Sequence, residues 1–382
     1  MNSVNDFIKI VRNHFESEGI IPLHAPVFKG NELKYISDTI ETTMVSSVGS
    51  YVDEFEKALS NYLGCSGATA VVNGTSGLQS ALKIVGVKPG DEVITQSLTF
   101  VATANAIRLN HADPIFLDVD KDTFGLSPEK LKEFLEVNTF TRDKKCFNKR
   151  TGKRISCCLP MHTFGFLCRI EEIVELCKKH YIPVVEDAAE ALGTFKSSQA
   201  AGTFGDLGVF SFNGNKIITS GGGGAIVSNN DSLNKQAKHL TTTAKRPHPY
   251  EYIHDQVGYN FRMPNLNAAL ALAQLENIKS FIAKKELLYR YYKEELSKIG
   301  IEIVEQPQTM SKWNYWLISI KTSNTFERDL FLKETNNKGI LTRPIWKLLS
   351  ELPMYNSCEA HNLFNSKIIE STVVNIPSSA KL

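Results

Sequence analysis

The sequence has seven cysteines, at positions 65, 146, 157, 158, 168, 177 and 358, and no Cys-x-x-Cys pair among them. An odd, scattered set argues against a disulfide framework and a ribbon-type zinc site; reduced thiols in a cytoplasm fit it, and no metal site is expected. An excess of one charge is also missing: 43 Lys and Arg stand against 41 Asp and Glu, a formal net charge of +2. So weak a bias excludes nucleic acid and membrane as main partners, and any anion has to be bound locally. The longest uncharged stretch, residues 58–82, is rich in Ser, Gly, Thr and Asn and turns at 64–67, so it cannot span a bilayer. Val4, Phe7, Ile8, Val11 and Phe15 recur among charges at helical spacing, which reads as an amphipathic helix and not a signal peptide.

What is present is ordinary globular material, 382 residues with 42% hydrophobic and 22% charged side chains. The expected layout is an N-terminal helix (1–22), a large domain (23–250), and a long linking helix with a small α+β domain (251–382). Between about residues 67 and 229, short apolar runs (ATAVVN, DEVITQ, PIFLDV, RISCCLPM, IPVVED, LGVFSF, GAIVSN) alternate with helical patterns such as SGLQSALKIVG. That rhythm predicts an α/β fold with a mainly parallel sheet, helices on both faces and ligands at the carboxyl ends of the strands. The insertion TRDKKCFNKRTGKR, half of it basic, reads as a solvated hairpin. Residues 265–300 read as one long helix, with Asn265 as N-cap and Gly300 as its stop.

Three places carry candidate chemistry. In VVNGTSGLQSAL a strand runs through Asn73, Gly74, Thr75, Ser76 and Gly77 into a helix, whose exposed N–H groups and dipole suit a phosphate, although an N-capped core helix would look the same. Neither a Walker loop nor a G-x-G-x-x-G fingerprint is present, which removes the case for a nucleotide-sugar oxidoreductase. In IPVVEDAAEALGT a strand delivers Glu186 and Asp187 to the sheet's edge; Asp187 is placed either to pair with a protonated ring nitrogen or to cap a helix. In FSFNGNKIITSGGGGAIV, Ser211 ends a strand and Lys216 is the one charged side chain between Asp206 and Asp231, a candidate Schiff-base amine or a plain surface lysine. Phosphate donors, a ring-nitrogen carboxylate and such a lysine are together the parts needed to hold pyridoxal 5′-phosphate (PLP). Phe100, after the second strand, is available to cover its ring.

These residues resemble the sugar aminotransferases of the DegT/DnrJ/EryC1/StrS family, through IPLHAPVF, GSYVDEFEKALSNYLG, NGTSGLQSAL, SLTFVATANAI, PMHTFGF, VVEDAAEALGT, FSFNGNK and VGYNFRMPNLNAALALAQLE. The resemblance implies the PLP-dependent transferase type I fold of aspartate aminotransferase. It makes Lys216 the Schiff-base lysine, Asp187 the ring-nitrogen partner and Phe100 the stacking ring; Gly74, Thr75, Ser76 and Ser211 would hold the phosphate. It also implies a homodimer with shared sites, in which Asn260 reaches the neighbouring subunit's phosphate and Arg262 sets its loop. Two departures stand out: Glu190 replaces the usual Gln or His near the cofactor hydroxyl, and TSGGGG replaces T-x-G-E-G-G.

The opening helix, MVSSVGSYVDEFE and TRPIWKLLSELPMY look most like the subgroup that makes 4-amino sugars for legionaminic acid and bacillosamine. The implied reaction moves an amino group from L-glutamate to C4 of a nucleotide-linked 4-keto-6-deoxy sugar. Dehydratases of the family carry His in place of the lysine, so Lys216 argues against that branch. A silent PLP-binding regulator would need an added DNA-binding or signalling domain, and the roughly twenty residues ahead of the core hold none.

Overall fold

The computed structural model describes residues 2–381. Helices α1 (Asn2–Phe15), α2 (Glu32–Glu41) and α3 (Ser50–Leu63) lead into strand β1 (Gly67–Val71). Then α4 (Gly74–Ile84), β2 (Glu92–Gln96), α5 (Val101–Leu109), β3 (Asp113–Leu117) and α6 (Pro128–Asn138) alternate. A hairpin of β4 (Thr139–Arg142) and β5 (Lys145–Asn148) precedes β6 (Arg154–Leu159), α7 (Ile170–Lys179) and β7 (Val185–Asp187). Two short strands, β8 (Phe195–Lys196) and β9 (Gln199–Ala200), lead to β10 (Leu207–Ser211), β11 (Gly224–Ser228) and α8 (Asp231–Thr241). The remainder comprises α9 (Asn265–Glu276), α10 (Ile278–Lys298), β12 (Glu302–Ile303), β13 (Ile318–Lys321), α11 (Thr325–Asn337), β14 (Arg343–Pro344), α12 (Phe364–Thr372) and β15 (Val373–Ile376).

The strand sets β3-β2-β6 and β7-β10-β11-β1 meet where Cys158 pairs with Val184 and Met161 with Asp187, both in parallel. Neighbours across this seven-strand surface run parallel except at β11, which is antiparallel to both β10 and β1. Every residue of β2 is buried, as expected of a strand covered on both faces. The type I, aspartate aminotransferase-like architecture expected from the sequence is therefore the one observed. The basic insertion forms the β4–β5 hairpin, and three of its cations tie back to the body: Lys153 to Asp113 at 2.6 Å, Arg150 to Glu359 at 2.7 Å and Arg154 to Asp91 at 3.7 Å.

One expectation about the C-terminal half is corrected. The segment after Pro264 is two helices, because the Asn277 side chain bonds back to the Ala273 carbonyl at 3.1 Å and the chain leaves helical geometry there. Pro264, not Asn265, is the N-cap; the Asn265 amide instead donates to the Met44 carbonyl at 2.7 Å. Beyond α10, the antiparallel sheet β12-β13-β15-β14 carries α11 and α12. Helix α1 joins this half: Phe7 packs on Phe331 of α11 at 4.8 Å, and Ile21 bridges Ile340. No helix among the described residues is long and apolar enough to cross a membrane.

Candidate active site

A cavity of about 680 Å³ lies where β7 and β10 end and α4 begins, closed from the other side by residues 343–347. It is the crevice that an open α/β sheet offers at the carboxyl ends of its strands. Gly74, Thr75, Phe100, Asp187, Glu190, Ser211 and Lys216, seven residues singled out in the sequence, all line it.

The α4 end is built by local chemistry. The Asn73 side chain accepts the Ser76 N–H at 2.8 Å and caps the helix, leaving the Gly74 and Thr75 N–H groups as first-turn donors beside Ser211. Ser76 itself lies outside the cavity wall, its backbone donor already taken by the cap. Gly224, last of the glycine run, passes so close beneath this loop that a Cβ would sit 2.7 Å from the Asn73 carbonyl carbon and 2.8 Å from the Gly74 nitrogen. Any other residue there would push the helix start out of place.

The two carboxylates that end β7 point opposite ways, as alternate strand residues must. Glu186 turns from the cavity and accepts the N–H groups of Gly202, Phe204 and Gly205 at 2.9, 2.6 and 2.7 Å. Asp187 turns into it, held by the Thr103 hydroxyl at 2.7 Å and the Ala189 N–H at 3.2 Å. Burial raises its pKa against the opposing pull of Thr103, Ala189, Lys216 and His162. A buried carboxylate facing a ligand cavity is suited to a cationic partner from the ligand.

Lys216 enters from the turn after β10. Its Nζ is 3.2 Å from Glu190 Oε1 and 4.0 Å from the centre of the Trp316 ring, whose own N–H is fixed on the Asn215 carbonyl at 2.7 Å. The second Glu190 oxygen accepts the Phe164 N–H at 2.9 Å. Burial, only partly opposed by Lys216, pushes the Glu190 carboxyl up to about 7. Phe100, at the start of α5, is 50% exposed and borders the cavity, with the Trp346 ring edge-on at 6.3 Å.

Asn260 stands apart. It is exposed, accepts the Arg262 Nε–H at 2.9 Å and takes no part in lining the cavity of its own chain. Trp316, Trp346, Arg343 and Lys347 do line it, and sequence reasoning missed all four. One signal was available: two of the chain's three tryptophans stand in this wall, in segments 313–317 and 343–347 that bring them from far along the chain.

This donor set fits PLP. Among the described residues no cation is hydrogen-bonded to the buried Asp187, which faces the cavity, the α4 start with Ser211 offers anion donors, and Lys216 supplies a primary amine to the same cavity. A mainly parallel type I sheet with such a site is the frame of a PLP-dependent enzyme. The chain belongs to the DegT/DnrJ/EryC1/StrS aminotransferase family, whose model matches residues 26–382. EpsN of Bacillus subtilis (strain 168), assigned provisionally as a pyridoxal phosphate-dependent aminotransferase, is 35% identical over 337 residues, covering 88% of this chain and 84% of that one. GDP-perosamine synthase of Caulobacter vibrioides is 34% identical over 365 residues, covering 95% and 94%. The crystal structure of a DegT DnrJ EryC1 StrS aminotransferase from Brucella abortus matches with a TM-score of 0.83 at 26% identity, over 91% of this chain and 90% of that one.

Proposed function

We propose that the protein moves an amino group from L-glutamate to C4 of a nucleotide-linked 4-keto-6-deoxy sugar, a UDP-linked 2-acetamido hexose, in surface-polysaccharide or nonulosonic acid biosynthesis. The observation that carries the reading is that the Lys216 amine shares one cavity with the cofactor-side residues and with Leu23, Leu317, Arg343, Trp346 and Lys347. These residues offer the Arg343 guanidinium and a flat indole to an acceptor bearing phosphate and a ring, while Lys347 is paired with Glu370 of the same wall at 2.6 Å. The GDP-perosamine synthase relative supports a nucleotide-linked sugar and favours GDP as the competing nucleotide.

In this reading the Gly74 and Thr75 N–H groups and the Ser211 hydroxyl hold the cofactor phosphate, Asp187 keeps the ring nitrogen protonated, and Phe100 covers the ring. When bound, PLP supplies the electron sink and carries the amino group between donor and acceptor. Lys216 Nζ takes a proton from the amino-bearing carbon of the donor and delivers one to C4 of the acceptor. Trp316, Phe164 and Trp346 wall this amine with rings and keep water from the reacting carbon. The phosphate cup is completed in a homodimer by Asn260 of the partner subunit, a role consistent with its exposure and with its taking no part in the cavity wall of its own chain.

A panel of nucleotide-linked 4-keto sugars, each mixed with enzyme in its aminated form, tests the proposal through the return of the lysine-bound cofactor absorbance. Rapid return with the UDP-linked 2-acetamido sugar is expected. Faster return with a GDP-linked sugar would reassign the nucleotide, and no return with any member would overturn the sugar substrate.

A further inference from the structure

A lysine that carries a cofactor has to shed a proton before its nitrogen can attack, and in a closed cavity that proton needs a destination. The Lys216 side chain is 12% exposed and that of Glu190 only 2%, with 3.2 Å between Nζ and Oε1. The other Glu190 oxygen is fixed by the Phe164 N–H at 2.9 Å, so Oε1 is the oxygen left to the amine. Phe164 holds this N–H from a left-handed backbone conformation, φ 55°, and the Asn314 amide grips the Glu190 carbonyl at 2.6 Å. The carboxylate is therefore aimed, not merely nearby.

We propose that Glu190 is the proton acceptor for Lys216: the two side chains share one proton, and the lysine becomes nucleophilic without releasing that proton to solvent. This rests on the reading of Lys216 as the cofactor-carrying amine. In the step, one Nζ–H bond breaks with its electron pair left on nitrogen, and an O–H bond forms at Oε1; ammonium and carboxylate become amine and carboxylic acid. The pair is neutral overall before and after, so no charge is created in a buried site, where creating one is expensive. Of the usual occupants of this position in the resemblance stated above, glutamine has no basic atom to take up the proton, and histidine would take it up only as part of a pair that carries a net positive charge throughout. Among the described residues, the charged groups acting on Glu190 are Lys216, which favours the carboxylate, and Asp187, which disfavours it. Burial places the acid near 7, the range in which a group both accepts and returns protons at neutral pH.

The test is trace acylation of the full chain freed of cofactor, with the Lys216 peptide quantified by mass spectrometry against the exposed Lys9 as internal reference. For a pair holding one shared proton, the labelling rate of Lys216 is level between about pH 7.5 and about pH 9, because the proton count does not change across that window. In Glu190→Gln the rate should start below wild type and climb about tenfold per pH unit across the same window, as an unpaired amine does. Glu190→Asp, which keeps a carboxylate, should recover part of the level profile. A Glu190→Gln profile that stays level at or above the wild-type rate would overturn the proposal. So would a steep single-group titration in the wild type, which decides the matter even where the Gln variant fails to fold. Failure of the cofactor assignment reads differently: no pyridoxyl group on Lys216, with these profiles unaffected.

Discussion

Glu186 Oε2 lies 2.8 Å from His162 Nε2, and neither side chain has any exposure to solvent. This pair fixes the back of the strand whose next residue, Asp187, faces the cavity, and the backbone N–H of His162 donates to the Asp187 carbonyl at 3.1 Å. Burial works against charge on the imidazole, but the Glu186 carboxylate beside it outweighs this and holds its pKa up to about 10. A folded value above the unfolded one, about 6.5, contributes stability that is fully present below about pH 6.5 and is lost as pH rises towards 10. His162→Gln is therefore expected to cost about 3 kcal/mol or more at pH 6.5, with the gap to wild type closing by pH 10 in thermal melts. A gap that does not change with pH would remove the charge from this pair.

Asp187 is held by Thr103 at 2.7 Å in an orientation that only the carboxylate uses fully. Asp187→Asn should retain some cofactor yet lose roughly 10²-fold or more in kcat, since an amide cannot keep a ring nitrogen protonated. Phe100→Ala should act differently, weakening cofactor retention about three- to tenfold through lost ring contact. Wild-type turnover by Asp187→Asn would show that the carboxylate has no electronic role.

The proposed sharing of the site between two protomers is open to complementation. Lys216→Ala protomers are inactive in this account and Asn260→Ala protomers impaired, but in a mixed dimer one site receives both wild-type residues. Activity should return on mixing, towards about half the wild-type value per mixed dimer, from one intact site of two. No recovery, with subunit exchange proven and both single defects clear, would place Asn260 outside the neighbouring site.

Much of the cavity could be read from the chain because its cofactor wall is made of strand ends, and strand ends announce themselves. Asp187 and Ser211 close apolar runs, and Asn73 opens a helix after one, so local pattern and tertiary position coincide. The antiparallel sense of β11 was not legible, because GAIVSN reads the same in either direction. Nor was the break at Asn277, which turns on one side-chain hydrogen bond within a strongly helical stretch. Trp316, Arg343 and Trp346 belong to the second half of the chain and reach the cavity only through the way the β12–β15 sheet docks, a long-range relationship that no local spacing records.

The central claim is that Lys216 is the amine that holds PLP. Borohydride reduction of the purified enzyme, followed by peptide mapping, addresses it directly. The account requires the pyridoxyl group on Lys216, in the peptide spanning FNGNKIITS, and its loss in Lys216→Ala. A label on any other lysine, or none in protein that shows bound cofactor, would contradict it.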